Sequence, residues 1–297
     1  MSLQDRDPAR KPQRSLTSIR TPQRLGADGQ VEDKALVLPP GGWALFDPFL
    51  MLAEDWFSTV GFDWHPHRGI ETVTFVLEGE VEHRDNRGGH GVIGPGDAQW
   101  MTAGGGIIHS EKALGGRPVH SLQLWLNLPA AEKMIPAAYQ DLAGAQMPVR
   151  RGPGFEARVF SGRSGEVTGP ARNHVPVTMV EVTVEAGARF VQEFPAGDNG
   201  FVYALAGEGR FGPGEQVLRA GQVAQLSASE ERDGVTELAA TAHQPLRFLL
   251  FSGRPLREPV VSYGPFVMNT REQIVQAFQD FQAGRFGPVP ERAPSVY

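Results

Sequence analysis

Apolar and polar residues alternate with a period of two along much of this chain, in short runs punctuated by glycine and proline. That pattern predicts half-buried strands joined by tight turns. Ala35-Leu36-Val37-Leu38 runs into Pro39-Pro40-Gly41-Gly42 as a strand and its turn. Trp43 to Leu52, interrupted at Asp47-Pro48, is apolar and aromatic and reads as a wall of the first domain. Thr72 to Leu77 is β-branched and aromatic, a strong strand. Glu78-Gly79 turns it into Val81-Glu82-His83-Arg84, and Asp85-Asn86-Arg87-Gly88-Gly89 makes the next hairpin loop. Val92-Ile93, the turn Pro95-Gly96-Asp97 and Gln99-Trp100-Met101 continue the zigzag, and Ser121 to Leu128 alternates until Pro129. Strands of this length and spacing predict an antiparallel sandwich or barrel.

The signals then return. Leu77-Glu78-Gly79-Glu80 matches Leu205-Ala206-Gly207-Glu208, and Val92 to Asp97 matches Val217 to Gln222. Leu122, Leu124 and Leu126 pair with Leu246, Phe248 and Leu250. Offsets of 124 to 128 residues predict two copies of one domain. The tail differs: Thr270-Arg271-Glu272-Gln273 has the form of a capping box, Ile274, Phe278 and Phe281 follow at helical spacing, and Gly284 is placed to stop the helix. Three segments are expected: a flexible leader over 1–30, one domain over 31–150, and a second over 151–297 that includes the terminal helix.

Composition narrows the function. The 297 residues include 36 glycines and 24 prolines, and a net charge of −6 argues against nucleic acid, which demands a basic surface. The basic leader (Arg6, Arg10, Lys11, Arg14, Arg20, Arg24) reads as a loosely docked arm. No apolar run approaches the ~20 residues of a membrane span, so no membrane role is expected; the opening residues lack a signal pattern, and a cytoplasmic protein is expected. There is no cysteine, so any metal must be held by His and carboxylate.

Residues of those types come in two matching pairs. His65-Pro66-His67 and His109-Ser110-Glu111 each place two ligand types at i and i+2, on one face of a strand. Two strands facing one another inside a barrel would bring three imidazoles and one carboxylate together, which predicts a mononuclear metal centre. A rigid His-Pro-His turn is the plainer alternative, but three of only eight histidines fall in this design. Glu71 is a second candidate carboxylate; Glu111 is favoured because it shares a strand face with His109. His83, His90 and His120 lack an i+2 ligand partner and are expected to be structural, and Gly104-Gly105-Gly106, with no Gly-Lys-Ser/Thr after it, reads as a close backbone approach to the metal. The second copy has Phe194-Pro195-Ala196 in place of the first pair, and Gly234-Val235-Thr236 near the second, so it cannot hold a metal in this way.

His65 to Gly69 with Glu71-Thr72-Val73, Gly96-Asp97, Gln99 to Gly104, Gly106-Ile107, His109 to Glu111, Leu122 to Trp125, Asn127-Leu128-Pro129 and the Pro255 to Gly287 tail resemble the pirin family of the cupin superfamily. The resemblance implies an all-β bicupin: two tandem antiparallel, jelly-roll-like β-barrels with a C-terminal α-helix. It also implies one divalent metal in the N-terminal barrel at His65, His67, His109 and Glu111, Fe(II) first, with Mn, Co, Ni, Cu or Zn as the other ions. For bacterial relatives it implies quercetinase activity, the dioxygenolytic opening of a flavonol with release of carbon monoxide; for animal relatives, a redox-sensitive regulatory protein that binds a protein partner. On the enzymatic reading the flavonol gives its 3-hydroxyl proton to Glu111, and dioxygen is the co-substrate. Phe62, Trp64, Phe75, Trp100 and Met101 are the candidates to clamp the flat substrate, and Glu71 with Arg68 supports the ligands from behind.

Overall fold

The computed structural model describes residues 11–58, 61–229 and 233–289. The chain divides into two compact units: Gln23–Gln146 with the chain from Leu256 onward, and Met147–Pro255 with the chain up to Pro22. Each is built on a pair of antiparallel sheets with a two-stranded ribbon in addition, and the chain is a bicupin.

In the first unit, one sheet runs in the order Ala138–Leu142, Ala98–Thr102, Ile70–Glu78, Val119–Asn127, Phe49–Phe57, Asp33–Leu38. The other runs Gly61–His67, Ile107–Ala113, Val81–Asp85, His90–Ile93. The second unit repeats the smaller sheet with Arg189–Pro195, Val235–Ala242, Glu208–Phe211 and Gln216–Arg219. Its larger sheet centres on Asn199–Ala206, Leu246–Gly253 and Val177–Val184. Even the turns correspond: Gly79 and Gly207 have φ of 78° and 75°, and a Cβ on either would collide with the carbonyl of Pro118 or Pro245 respectively. Only glycine suits that combination of positive φ and close backbone.

The two interiors differ in chemistry. Along Val119–Asn127 the inward residues are Val119, Ser121, Gln123 and Trp125. Val119 joins an apolar plug of Val31, Phe57, Val76, Val81 and Ile93, and Trp125 joins another of Leu50, Ile70, Met101 and Ile107. Between the plugs lies a polar belt. The second unit has instead one continuous apolar core, in which Leu246, Phe248 and Leu250 face inward with Phe190, Phe194, Phe211 and Leu238. The expected match of Leu122, Leu124 and Leu126 with these three residues therefore puts the wrong face inward. The first unit's leucines are buried on the opposite face of their strand, and a slip of an odd number of residues exchanges faces.

Both chain ends depart from expectation. Residues 1–10, with Arg6 and Arg10, lie outside the described residues. From Lys11 the leader is ordered structure: Leu16–Arg20 pairs with Val223–Leu226, and the Arg14 guanidinium, buried, donates to the carbonyls of Ala196, Asp198 and Ser227. The charge pattern suggested solvent; the strand edge and those carbonyls supplied partners. The tail helix, Arg271–Gln282, forms with its Thr270–Gln273 capping box, but it belongs to the first unit and not the second. Ile274, Ala277, Phe278 and Phe281 pack with Ile108, Phe266, Met268 and Phe286. Arg68 fastens the helix by donating from Nη1 to Asp280 Oδ2 at 2.7 Å, with Nε on the Gly105 carbonyl.

Burial pushes the Asp280 carboxyl up, but hydrogen bonds from Gln276, Arg68 and Arg285 outweigh it and bring its pKa down to about 2. A depressed carboxylate stabilises the fold above its unfolded pKa and loses that contribution as pH falls through the folded value. Asp280→Asn should therefore cost roughly 2 kcal/mol at pH 7. In urea titrations across pH, the gap from wild type should close between about pH 4 and pH 2; a gap independent of pH would refute the assignment.

Candidate metal centre

Gly61–His67 and Ile107–Ala113 are hydrogen-bonded neighbours in the smaller sheet, with His65 and His109 as Cα partners and Phe62 opposite Glu111. The ligand pairs thus meet side by side within one sheet, where the sequence had suggested strands facing across a barrel. An irregularity between Phe62 and His65 shifts the register there. Candidate ligand atoms of His65, His67 and His109 lie within 4.8 Å of one another. A second such group, sharing His109, is formed by His83, His109 and Glu111.

Ring protons decide what this cluster can do. His65 Nδ1 donates to the Asp63 carbonyl at 2.8 Å, and His67 Nδ1 to the Pro265 carbonyl at 3.3 Å. With both protons on Nδ1, two Nε2 lone pairs face each other at 3.1 Å. His109 Nε2 is buried with no hydrogen-bond partner. Burial holds all three rings below the usual imidazole range, His67 and His109 well below it, with neighbouring imidazoles adding to the effect. Neutral rings with converging, unpaired lone pairs fit a divalent cation, and the nitrogen–oxygen donor set suits Fe, Mn, Co, Ni, Cu or Zn.

Glu111 is held from both sides. Oε1 accepts from Thr74 Oγ1 at 2.7 Å and Oε2 from Gln123 Nε2 at 2.6 Å, while Gln123 Oε1 accepts from Trp125 Nε1 at 3.1 Å. Thr74 and Gln123 were not singled out from the sequence as site residues, yet both lie inward on strands read correctly there. His83 was dismissed and is buried, directly opposite Glu111 in the adjoining strand. The signal existed: in Val81-Glu82-His83-Arg84 the charges at 82 and 84 leave His83 on the inner face with Val81. His90 and His120 are structural, paired with Glu82 and Glu54.

The remaining candidates divide by strand face. Met101 is opposite Thr72 and points inward, and the Phe62 ring lies 6.1 Å from that of His65. Phe75 and Trp100 lie on the other face of their sheet, the latter opposite Val73. Trp64 packs with Phe266 and Ile274 under the tail. Glu71 lies on the far face from Thr74, where it accepts from Thr102, and Arg68 binds Asp280. Trp125, whose ring meets that of His67 edge-on at 5.1 Å, was missed as a wall residue. The Gly104–Gly106 run packs closely on Ile135, Met134 and Phe286.

In the second unit, Phe194 faces Thr236 across the equivalent strand pair, as His65 faces His109. The register thus puts Thr236 at the place of His109, two residues from the alignment read off the sequence. Both are buried without ligand chemistry.

Two cupin barrels, one with a polar, histidine-lined interior and one filled with apolar side chains, define a bicupin with a single candidate metal centre among the described residues. The chain belongs to the pirin family: the Pirin domain matches residues 43–126 and the Pirin C-terminal cupin domain residues 179–287. It is 43% identical over 234 residues (76% of this chain, 79% of the relative) to a Pseudomonas aeruginosa protein named "Putative quercetin 2,3-dioxygenase". It is 38% identical to human Pirin, over 81% of this chain and 83% of that one. A quercetin 2,3-dioxygenase structure from Acinetobacter baumannii superposes with a TM-score of 0.82 at 32% identity, covering 94% of this chain and all (100%) of the other. The Geobacillus kaustophilus protein GK1651 gives the same TM-score, 0.82, at 49% identity, covering 84% of this chain and 100% of that one. No described helix is long and apolar enough to cross a membrane.

One inward carboxyl is out of balance. Asp55, opposite Ser121 on the belt, has a buried Oδ1 with no hydrogen-bond partner. Burial first, then the charges of Glu111, Asp28 and Glu54, raise its pKa to about 7 against the pull of Lys34. A raised carboxyl favours the protonated fold, so it destabilises progressively as pH climbs from its unfolded pKa to its folded one. Metal-free Asp55→Asn should match wild type below about pH 4 and exceed it above pH 7, by up to ~4 kcal/mol. Denaturant midpoints that do not separate with rising pH would contradict this.

Proposed function

We propose that this protein is a metal-dependent dioxygenase that opens the heterocycle of a flavonol such as quercetin. One divalent metal, Fe(II) first among the candidates, is held by His65, His67, His109 and Glu111. The observation that carries the reading is the set of converging Nε2 lone pairs on three neutral imidazoles, two buried and that of His65 half-buried, beside a doubly hydrogen-bonded carboxylate. The names of the Pseudomonas and Acinetobacter relatives supply the reaction class. When bound, the metal supplies a Lewis acid that orients the flavonolate and dioxygen.

The rest falls to side chains. Glu111 accepts the 3-hydroxyl proton, and its two neighbours differ in what they allow. Gln123 cannot turn its amide without breaking the bond from Trp125, so Oε2 stays an acceptor. The Thr74 hydroxyl can rotate from donor to acceptor, so a proton arriving on Oε1 keeps a hydrogen bond. The proton is therefore assigned to Oε1. Phe62, Met101 and Trp125 furnish apolar walls for a flat ring system, and the plugs exclude water.

Metal-loaded protein given quercetin in air should consume oxygen and release carbon monoxide, at a metal content near one per chain. His65→Ala with His67→Ala should abolish both metal retention and turnover. Metal-gated capture of a protein partner with no oxygen uptake would favour a regulatory, non-catalytic pirin instead.

Glu111→Gln separates base from ligand. Loss of a general base costs ~10²–10⁴-fold in kcat, so turnover per bound metal should fall in that range while substrate binding persists. Metal-normalised turnover near that of wild type would remove Glu111 from the proton transfer.

A further inference from the structure

His83 and Asp85 are the polar pair in the belt that the proposed reaction leaves unused. Both are buried, and both point inward from Val81–Asp85, with His83 opposite Glu111 and Asp85 opposite His109. His83 Nδ1 lies 3.5 Å from His109 Nδ1, and His83 Nε2 lies 3.7 Å from Asp85 Oδ2. Asp85 is itself fixed, since its Oδ1 accepts from the backbone of Arg87 at 2.7 Å and Gly89 at 2.8 Å. In the second unit the turn correspondence puts Phe211 at the position of His83, buried in the apolar core.

Ring-proton logic connects these distances. His65 and His67 each spend Nδ1–H on a backbone carbonyl, which leaves Nε2 to face the cluster. Placing the His109 proton on Nδ1 leaves its Nε2, which has no hydrogen-bond partner, available to the cluster as the other two are, but no carbonyl meets that Nδ1. What meets it is His83 Nδ1. For His83 to accept there, its own proton must be on Nε2, the side facing Asp85. That tautomer gives His109 Nδ1–H an acceptor and turns His83 Nε2–H, which has no hydrogen-bond partner, toward the Asp85 carboxylate 3.7 Å away, an electrostatic neighbour.

We propose that His83, backed by Asp85, is a positioning residue that sets the tautomer and orientation of His109 for metal binding, as the backbone carbonyls do for the other two histidines. The proposal rests on the metal reading of the cluster above. The polarity runs from the Asp85 carboxylate to His83 Nε2–H, and from His83 Nδ1 to His109 Nδ1–H. Groups that orient a ligating imidazole in this way are worth 10–100-fold in metal affinity. The rival geometry uses His83 as a ligand, with His109 and Glu111, and it makes a different forecast.

The test is Co(II) binding to metal-free protein by calorimetry, together with proton NMR of the Co(II) complex, in which ring N–H protons of ligating imidazoles are strongly shifted. His83→Phe removes the acceptor, and the fold already carries phenylalanine at the equivalent place in its second barrel. Asp85→Asn keeps the Oδ1 turn contacts but removes the acceptor facing His83 Nε2. His83→Asn keeps an oxygen near the Nδ1 position. The expected result is affinity 10–100-fold weaker in His83→Phe and in Asp85→Asn, near wild type in His83→Asn, with three shifted ring N–H signals in wild type and in His83→Asn. Should His83→Phe fail to fold, Asp85→Asn and His83→Asn carry the same contrast. Undiminished affinity in His83→Phe or Asp85→Asn overturns the proposal. So does His83→Asn as weak as His83→Phe, or a fourth shifted ring N–H in wild type that His83→Asn lacks. Wild-type protein that binds no Co(II) at all would instead overturn the metal reading, and this proposal with it.

Discussion

A neutral imidazole carries one ring proton, and where that proton sits decides which nitrogen is left to bind. Burying His67 and His109 beside the half-buried His65 tightens that constraint, because a buried ring depends on protein groups for its partners. The fold meets it by putting an acceptor behind each ring: the Asp63 carbonyl, the Pro265 carbonyl and the side chain of His83. The carboxylate obeys the same rule, with Thr74 and Gln123 donating to its two oxygens and Trp125 fixing the amide of Gln123. A buried polar group left unpaired costs roughly 1–3 kcal/mol, so such a belt is stable only where its members satisfy one another. Lone pairs aimed at the centre of the cluster remain unmatched, and Asp55 Oδ1 and His83 Nε2 also lack a hydrogen-bond partner.

The second barrel keeps the strand order of the smaller sheet and discards the belt. Phe194, Thr236, Leu238 and Phe211 occupy an interior that closes as one apolar cluster. Here a cation of a different kind is found at the end of the first strand of that sheet: the Arg14 guanidinium, fixed by backbone carbonyls and 5.5 Å from the Phe194 ring. A scaffold copied twice has divided its labour, with chemistry in one copy and apolar burial in the other.

The fold was legible because it rests on local rules: period-two alternation, glycine in turns that need positive φ, and a capping box at Thr270. The ligand pairs were legible for the same reason, since i and i+2 share a strand face wherever the strand goes. Register was not. The first unit's larger sheet buries leucines on its outer face and carries the polar belt on its inner one, so Leu122 and Gln123 pointed to the wrong face as inward. His83 has no ligand-type residue at i+2 except Asp85, which resembled part of a turn, and its importance comes from a neighbour 26 positions away. The ends were misjudged because charge says little about a chain that finds a sheet edge, as Leu16–Arg20 does.

The Pro265 carbonyl belongs to a stretch far along the chain from the histidine it orients, 198 residues from His67. The same stretch supplies the Val267 carbonyl to the buried ammonium of Lys133, and Asp280 of the following helix binds Arg68. Both sheets of the first barrel are complete by Leu142, yet these three contacts cannot exist until the ribosome has finished the whole second barrel. During synthesis, then, the first barrel to emerge is the last to be completed. A chain that stops short of the tail retains every proposed metal ligand and lacks the group that aims one of them.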